Sequence, residues 1–322
     1  MIGEIPQRFP FPEYEDITRA AVINTCIKIQ QYFRDHDAIQ ISVSGGSDSD
    51  CIVHLICKYF PEYIEKCYFV FVNTGLEYAA TKRHLCDLER KYGIRIDRIR
   101  GQSVVTSVKE WGVPILSKAK SKEIRNYLLG QPYAIKRVTE LKGRYGYTDG
   151  QLAMIAYIKE NGIKVSDMCC TKSKKAPLKR YAKQHHIDLT VTGERRAEGG
   201  QRASSHKSCF ECQKHAHKFM PLFWWTDYEK ADFKAKEGIR YSDCYEVYGM
   251  RRTGCVGCPF DQHIADDLQA MYEYEPKLFK VCMRVFGQSY ELMDRFGCRM
   301  RKCLPDGFQM TLTEEIERNE GC

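Results

Sequence analysis

The chain has 322 residues, 43% hydrophobic and 29% charged, a balance that supports a sizeable core and excludes a disordered tail or a low-complexity scaffold. Fifty Lys and Arg against 42 Asp and Glu leave a formal charge of +8, compatible with an anionic partner such as a nucleotide or a nucleic acid. No run of about 18 apolar residues is present, and residues 1–14 lack the basic-then-apolar layout of a signal peptide, so a cytoplasmic location without a membrane partner is expected.

Residues 38–43 form a short β-rich run that ends in Ser-Gly-Gly, and residues 50–59 carry apolar side chains at helical spacing. Residues 68–72 are a continuous β-branched and aromatic run, the pattern of a strand buried on both faces. That run ends at Asn73-Thr74-Gly75 and a helical pattern follows through Arg90, with a further short strand expected at 94–99. The basic stretch 117–144, with Lys118, Lys120, Lys122 and Arg125, reads as a solvated helix face or as an anion-binding lid. Residues 178–185 look helical, and 187–192 look like a strand leading into Gly193.

Strands alternating with helices predict an α/β fold, a doubly wound and mostly parallel sheet. Ligands of such sheets bind beyond the carboxyl ends of the strands, where all three Gly-containing turns fall. After Pro221 the character changes to Phe223-Trp224-Trp225, a charged stretch, a Cys-rich loop, and apolar helical spacing over 264–296. The expected organisation is a nucleotide-binding α/β domain over residues 1–220 and a helical, Cys-rich C-terminal section over 221–322.

The turn Ser44-Gly45-Gly46-Ser47-Asp48-Ser49 follows a strand and opens a helix. Two glycines admit close approach of a ligand, amides at a helix N-terminus favour an anion, and three hydroxyls add donors. Asp48 would repel a bare phosphate, so it suits a metal ion or the turn itself. The bland alternative is a Ser/Gly-rich turn with an acidic cap. Arg195, Arg196 and Arg202 follow Gly193 in a post-strand loop, where guanidinium groups can hold phosphate or sulfate oxygens; the alternative is a surface ion-pair cluster with Glu194 and Glu198.

Sixteen cysteines without a signal peptide point to metal ligands or reactive thiols more than to disulfides. Cys26, Cys57, Cys67, Cys86 and Cys282 sit among apolar residues and read as small buried hydrophobes. Cys169-Cys170 and Cys255-x-x-Cys258 together offer four thiolates, suited to tetrahedral zinc or to a [4Fe–4S] cluster. Lys172, Lys174 and Lys175 would offset the thiolate charge. Cys209-x-x-Cys212, flanked by His206, His215 and His217, reads as a zinc site, a redox dithiol or a plain loop. Cys244 reads as structural, or as a substitute fourth ligand.

The loop SGGSDS resembles the PP-loop, SGGxDS, of the ATP pyrophosphatase superfamily, with Ser47 where lysine is usual. Residues 71–77 (FVNTGLE), with Thr81, are similar to the FVDTGLEFPET block of phosphoadenosine phosphosulfate (PAPS) reductases, with Asn73 replacing Asp. Gly193 to Glu198 with Arg202 resembles the family's GxRxxES…R segment, and residues 221–225 resemble its Pro-Ile-x-x-Trp block. The matches run in the family's order over about residues 38–260. The CC…CxxC arrangement is similar to the cluster-binding pattern of adenylyl-sulfate reductases, which favours [4Fe–4S] over zinc.

The resemblance implies an adenine nucleotide alpha hydrolase-like fold that binds ATP, adenylyl sulfate or PAPS. Ser44, Gly45, Gly46, Ser47, Ser49, Asn73, Thr74, Gly75, Lys172, Gly193 and Arg196 would hold the nucleotide. Asp48, Arg195 and Arg202 would act on it, with Mg²⁺ neutralising pyrophosphate. The ECGLH-like motif that carries the nucleophilic cysteine of the reductases is absent; the terminal Cys322 is the candidate in its place, though Glu315, Glu317 and Glu320 disfavour its thiolate. The expectation is therefore ATP cleavage between the α and β phosphates in sulfur transfer. The alternatives are true sulfonucleotide reduction with release of sulfite, and a non-catalytic nucleotide-binding subunit. A sulfur or electron donor (desulfurase, thioredoxin or glutaredoxin) and a nucleic-acid acceptor are the implied partners.

Overall fold

β1 (Ile39–Ser42), β2 (Cys67–Asn73), β3 (Ile96–Arg100), β4 (Leu189–Val191), β5 (Phe210–Glu211) and β6 (His217–Phe219) form one sheet in the order β3-β2-β1-β4-β6-β5. All pairs are parallel except the β5–β6 hairpin at one edge. Ile41 of β1 stands between Phe69 of β2 and Val191 of β4, so the central strand presents apolar side chains in register with both neighbours. The strand order reverses between β1 and β4, which is the position where a doubly wound sheet opens a crevice. The α/β, mostly parallel architecture expected from the strand–helix alternation is therefore the one observed.

The computed structural model describes residues 10–141, 146–199, 206–298 and 303. Arg202 and Cys322 lie outside the described residues. Two compact units emerge, the first within Met1–Ser107 and Met168–Val256, the second within Val108–Asp167 and Gly257–Cys322.

The first unit contains the sheet. Helix α1 (Asp16–Arg34) buries Val22, Cys26, Ile29 and Phe33; α2 (Ser47–Tyr59) buries nearly its whole length; α3 (Ala79–Tyr92) buries Leu85 and Leu88 and ends at Gly93 in the left-handed region. These side chains join Ile39, Ile41, Phe69, Leu189, Val191 and Phe219 in one core. Trp225 belongs to that core and donates from Nε1 to Thr25 of α1 at 2.9 Å, whereas Trp224 is half exposed. The neighbouring tryptophans thus have separate fates.

The second unit is helical. Its sequence-expected basic stretch is two helices, Lys118–Leu128 and Pro132–Glu140, and the helical spacing over 264–296 is also two, Ile264–Tyr274 and Pro276–Arg295, divided at Pro276. Helix Asp149–Glu160, which the sequence reading did not single out, carries a Thr148/Gln151 capping box. Phe279, Cys282, Met283, Phe286, Tyr290 and Met293 are buried along one helix, and the Tyr290 hydroxyl donates to the Gly257 carbonyl. Among the described residues no helix is long and apolar enough to cross a membrane.

Candidate functional site

The loop after β1 is tight because Gly45 takes a φ of +68°, and a Cβ there would lie 2.8 Å from Thr81 Cγ2. Within the turn, the Gly46 amide donates to Ser44 Oγ (3.2 Å), and Ser49 Oγ donates to the Gly46 carbonyl (2.8 Å). Gly46 precedes the first turn of α2. The Tyr245 hydroxyl receives the Ser47 amide and the Thr253 amide and sits 3.0 Å from Thr253 Oγ1. A Cβ at Gly46 would meet Thr253 Oγ1 at 3.2 Å and the Tyr245 hydroxyl at 3.3 Å. The loop therefore lies directly against the segment that carries Cys255.

β4 ends beside the same loop. Gly193 packs on the start of α2, where a Cβ would stand 3.1 Å from the Ser49 amide nitrogen and 3.2 Å from Asp48. Arg195 is buried at 3% exposure, and its guanidinium is engaged within the protein: Nε donates to Asp48 (2.7 Å), Nη1 to the Trp225 carbonyl (3.2 Å) and Nη2 to Asp227 (2.7 Å). Burial works against its charge, but Asp48 and Asp227 outweigh that and raise its pKa. Asp48 also accepts from Lys230 at 3.1 Å, and Lys230 donates to Ser47 Oγ at 3.0 Å. Arg196 is exposed and stacks its guanidinium over Trp224 at 5.4 Å.

The ion-pair partner of Arg195 is thus neither Glu194, which pairs with Lys218 and His206, nor the carboxylate of Glu198, which receives the Arg195 amide.

β2 ends in a turn stabilised by its own side chains. Asn73 Oδ1 receives the Gly75 amide (2.9 Å), while the Thr74 amide and hydroxyl both donate to Glu77 (2.9 and 2.7 Å). Burial raises the Glu77 pKa, against the two Thr74 bonds that lower it. At the end of β3, Gly101 admits the Lys172 carbonyl; a Cβ there would lie 2.5 Å away.

Cys169 and Cys170 sit in a short helix, Met168–Cys170, that passes into a wide π-turn over Thr171–Lys175 before the helix Ala176–Gln184 begins. Such wide turns reorient side chains within a helix. Here the turn places half-buried Lys174 beside Cys255, to which it is hydrogen-bonded, with Glu77 and Cys170 also near it; Cys255 foremost raises its pKa to about 12. Burial raises the Cys255 thiol, opposed by the Lys174 ammonium. The net direction for Cys255 is upward, so in the absence of a bound metal its thiol is held protonated, with the ammonium beside it as the one opposing charge. Cys258 belongs to the second unit, where its carbonyl receives the Asp261 amide. Among the described residues, no group of three or more Cys, His, Asp and Glu side chains is gathered closely enough to hold a metal ion.

The remaining cysteines divide. Cys26 and Cys282 are buried, with pKa values pushed by burial to about 12, as expected of small hydrophobes; Cys57 and Cys67 are half-buried and shifted to the same value. Cys86 is exposed, contrary to expectation, and accepts from Arg98 at 3.6 Å, because its position on α3 faces β3's outer edge residues and not the core. Cys209 and Cys212 flank β5, one buried and one exposed; His206 is paired with Glu194 and Glu211, and His217 is a residue of β6. Cys244 is fully buried, 3.7 Å from the Thr81 hydroxyl.

Sequence reasoning missed Lys230, Asp227, Tyr245 and Thr253. The absent lysine at position 47 could have prompted a search for another cation, but nothing local separates Lys230 from Lys234 and Lys236 on the same helix.

The sequence matches the phosphoadenosine phosphosulfate reductase domain over residues 38–114 and 135–260, well over half of the chain. It is 27% identical over 251 residues to an uncharacterised protein of Methanocaldococcus jannaschii; the match covers 76% of this chain, which spans 40% of that relative's length. Among solved structures it is similar to a phosphoadenylyl-sulfate reductase of Candida auris in a phosphate complex (12% identity, 76% of this chain and 97% of that one, TM-score 0.46). It is also similar to the U34-tRNA thiolase NcsA of Methanococcus maripaludis with its [4Fe–4S] cluster (14%, 84% and 79%, TM-score 0.37).

Proposed function

The chain belongs to the phosphoadenosine phosphosulfate reductase domain family, and from that premise we propose that it is an adenine-nucleotide-dependent enzyme of sulfur metabolism that cleaves ATP between the α and β phosphates to activate an acceptor for sulfur transfer. One observation carries this reading: Thr253 lies against Gly46 of the glycine-rich loop, and two residues later Cys255 is hydrogen-bonded to Lys174, with Cys170 close to both. The phosphate loop and the thiol pair are thus neighbours, so one bound molecule could meet both.

The nucleotide would lie beyond the ends of β1, β2 and β4, its phosphates against Ser44–Ser49 and Gly193, with Asn73, Thr74, Gly75, Lys172 and Arg196 around it and Arg202 as a further anion ligand. A nucleophilic oxygen of the acceptor attacks the α-phosphorus, the α–β bridging P–O bond breaks, and pyrophosphate departs, leaving an adenylated acceptor. Arg195 holds Asp48 rigidly at the start of α2. Asp48 would be the carboxylate that holds Mg²⁺, which would neutralise the leaving pyrophosphate. Cys169, Cys170, Cys255 and Cys258 are the residues that would hold a [4Fe–4S] cluster, with zinc the alternative; when bound, the cluster would supply a site for sulfur. A nucleic-acid acceptor and a sulfur-donor protein fit the +8 charge of the chain and the sulfur chemistry.

The test is to incubate the anaerobically purified protein separately with ATP, adenylyl sulfate and PAPS under reducing conditions and to identify the products by mass. AMP and pyrophosphate from ATP, with candidate acceptors present, support the proposal. Sulfite with AMP or adenosine bisphosphate would make the protein a reductase, with Cys322 the first residue to replace. Nucleotide binding without turnover, retained with every partner added, would make it a binding subunit.

A further inference from the structure

The Lys230 ammonium stands at the mouth of the glycine-rich loop, 3.0 Å from Ser47 Oγ and 3.1 Å from Asp48 Oδ1, with its side chain only 17% exposed. An ammonium has three donors, and among the described residues two are used. Asp48 has Arg195 as a second cationic partner at 2.7 Å, so Lys230 is not needed to neutralise it alone.

The position of Lys230 is built, not incidental. It lies on the helix Asp227–Glu237, whose first turn is closed by a Thr226/Glu229 capping box and tied to Arg195 through Asp227. Glu237, seven residues on, has no side-chain exposure and accepts from His54 Nε2 at 2.7 Å; His54 is seven residues beyond Ser47. Equal steps of two helical turns mean that this helix and α2 run side by side in the same direction. Phe233 packs edge-on against the His54 ring between these contacts. The two helices therefore deliver Lys230 to the first turn of α2 as a fixed geometric consequence.

We infer that Lys230 is a phosphate-binding residue of this site, supplying from a different element the ammonium that position 47, a serine, does not carry. The inference rests on the nucleotide reading above and deepens it: the ligand is the phosphate chain of the nucleotide, met by the third ammonium donor.

The experiment compares Lys230→Met, Lys230→Arg and the double variant Ser47→Lys/Lys230→Met with the parent chain, titrating each with ATP, inorganic pyrophosphate and adenosine and recording each melting temperature. Lys230→Met is expected to weaken ATP and pyrophosphate roughly tenfold or more, the scale of a lost charge-assisted hydrogen bond, with adenosine binding unchanged. The double variant is expected to recover most of the loss, and Lys230→Arg part of it. ATP and adenosine weakening by the same factor, or ATP affinity unchanged in Lys230→Met, would overturn the assignment and leave Lys230 as a support for Asp48. A parent chain that binds none of the three would overturn the nucleotide reading itself. Should Lys230→Met fail to fold, the double variant alone decides, since recovery of the phosphate ligands there requires an ammonium at the same mouth.

Discussion

Asp48 and Arg195 are separated by 147 positions in the chain and joined by an ion pair of 2.7 Å that is almost wholly enclosed on the arginine side. This contact locks the loop after β4 to the loop after β1 across the point where the strand order reverses. Removing the guanidinium would leave Asp48 to Lys230 and take a donor from the Trp225 carbonyl, so Arg195→Met should cost about 2 kcal/mol in denaturant unfolding. Arg195→Lys should recover only part, because one ammonium cannot span three acceptors in a plane. A double-mutant cycle with Asp48→Asn should show strong coupling; additive effects would mean that the pair does not hold the loops together.

Gly45 is the position where the loop tolerates no side chain. Its positive φ and the 2.8 Å approach to Thr81 predict that Gly45→Ala loses about 1–2 kcal/mol of stability together with nucleotide binding. Thr81→Ala removes the clash but not the backbone strain. The pair Gly45→Ala/Thr81→Ala should therefore recover part of the stability, read by thermal melting, and full recovery would contradict the backbone argument.

Glu237 predicts an acid-labile joint. Burial alone would raise its pKa, but bonds from His54, Lys58, Tyr14 and Tyr59 override this and hold it at about 2. A depressed carboxylate contributes stability above its unfolded pKa of about 4.3 and loses it as pH falls toward the folded value. Stability should therefore decline between about pH 4.3 and pH 2 in the parent chain. Glu237→Gln should start lower by about 2 kcal/mol and show a shallower decline over the same window. An unchanged slope would place the acid sensitivity elsewhere.

The thiol pair gives a prediction about metal. Anaerobic protein should carry about four iron and four sulfide per chain if the [4Fe–4S] reading holds. Cys170→Ala and Cys255→Ala should lose both, whereas Cys26→Ala, in the apolar core, should keep them. Lys174→Met should lower iron retention, since the thiolates would lose the cation beside them. Elemental analysis reads the result directly. Zinc in place of iron would favour the tetrahedral alternative, and full metal content in Cys255→Ala would contradict the assignment.

Local signals were the legible ones. β1, β2 and β4 with the turns at Ser44–Ser49, Asn73–Gly75 and Gly193 could be read from apolar runs that stop at glycine, because both the strand and its end are encoded within a few residues. The hairpin Phe210–Glu211 and His217–Phe219 could not, since its strands are two and three residues long and exist by β6 pairing with β4 and β5 with β6. Pro276, which divides the last helical stretch, marks that break within the sequence itself. At the site, the chemistry of the arginines was legible but not their orientation: Arg195 turns inward to Asp48, and its neighbour Arg196 turns outward to Trp224. Lys230 was beyond reach because its place depends on two helices packing side by side.

The central claim is that an adenine nucleotide sits where the strand order reverses, and amide hydrogen exchange with and without saturating ATP tests it most directly. The account predicts slowed exchange at residues 44–49, 73–75 and 193–196 and around Lys230, with the β5–β6 edge unaffected. Protection confined to other segments, or none at any ATP concentration, would contradict it.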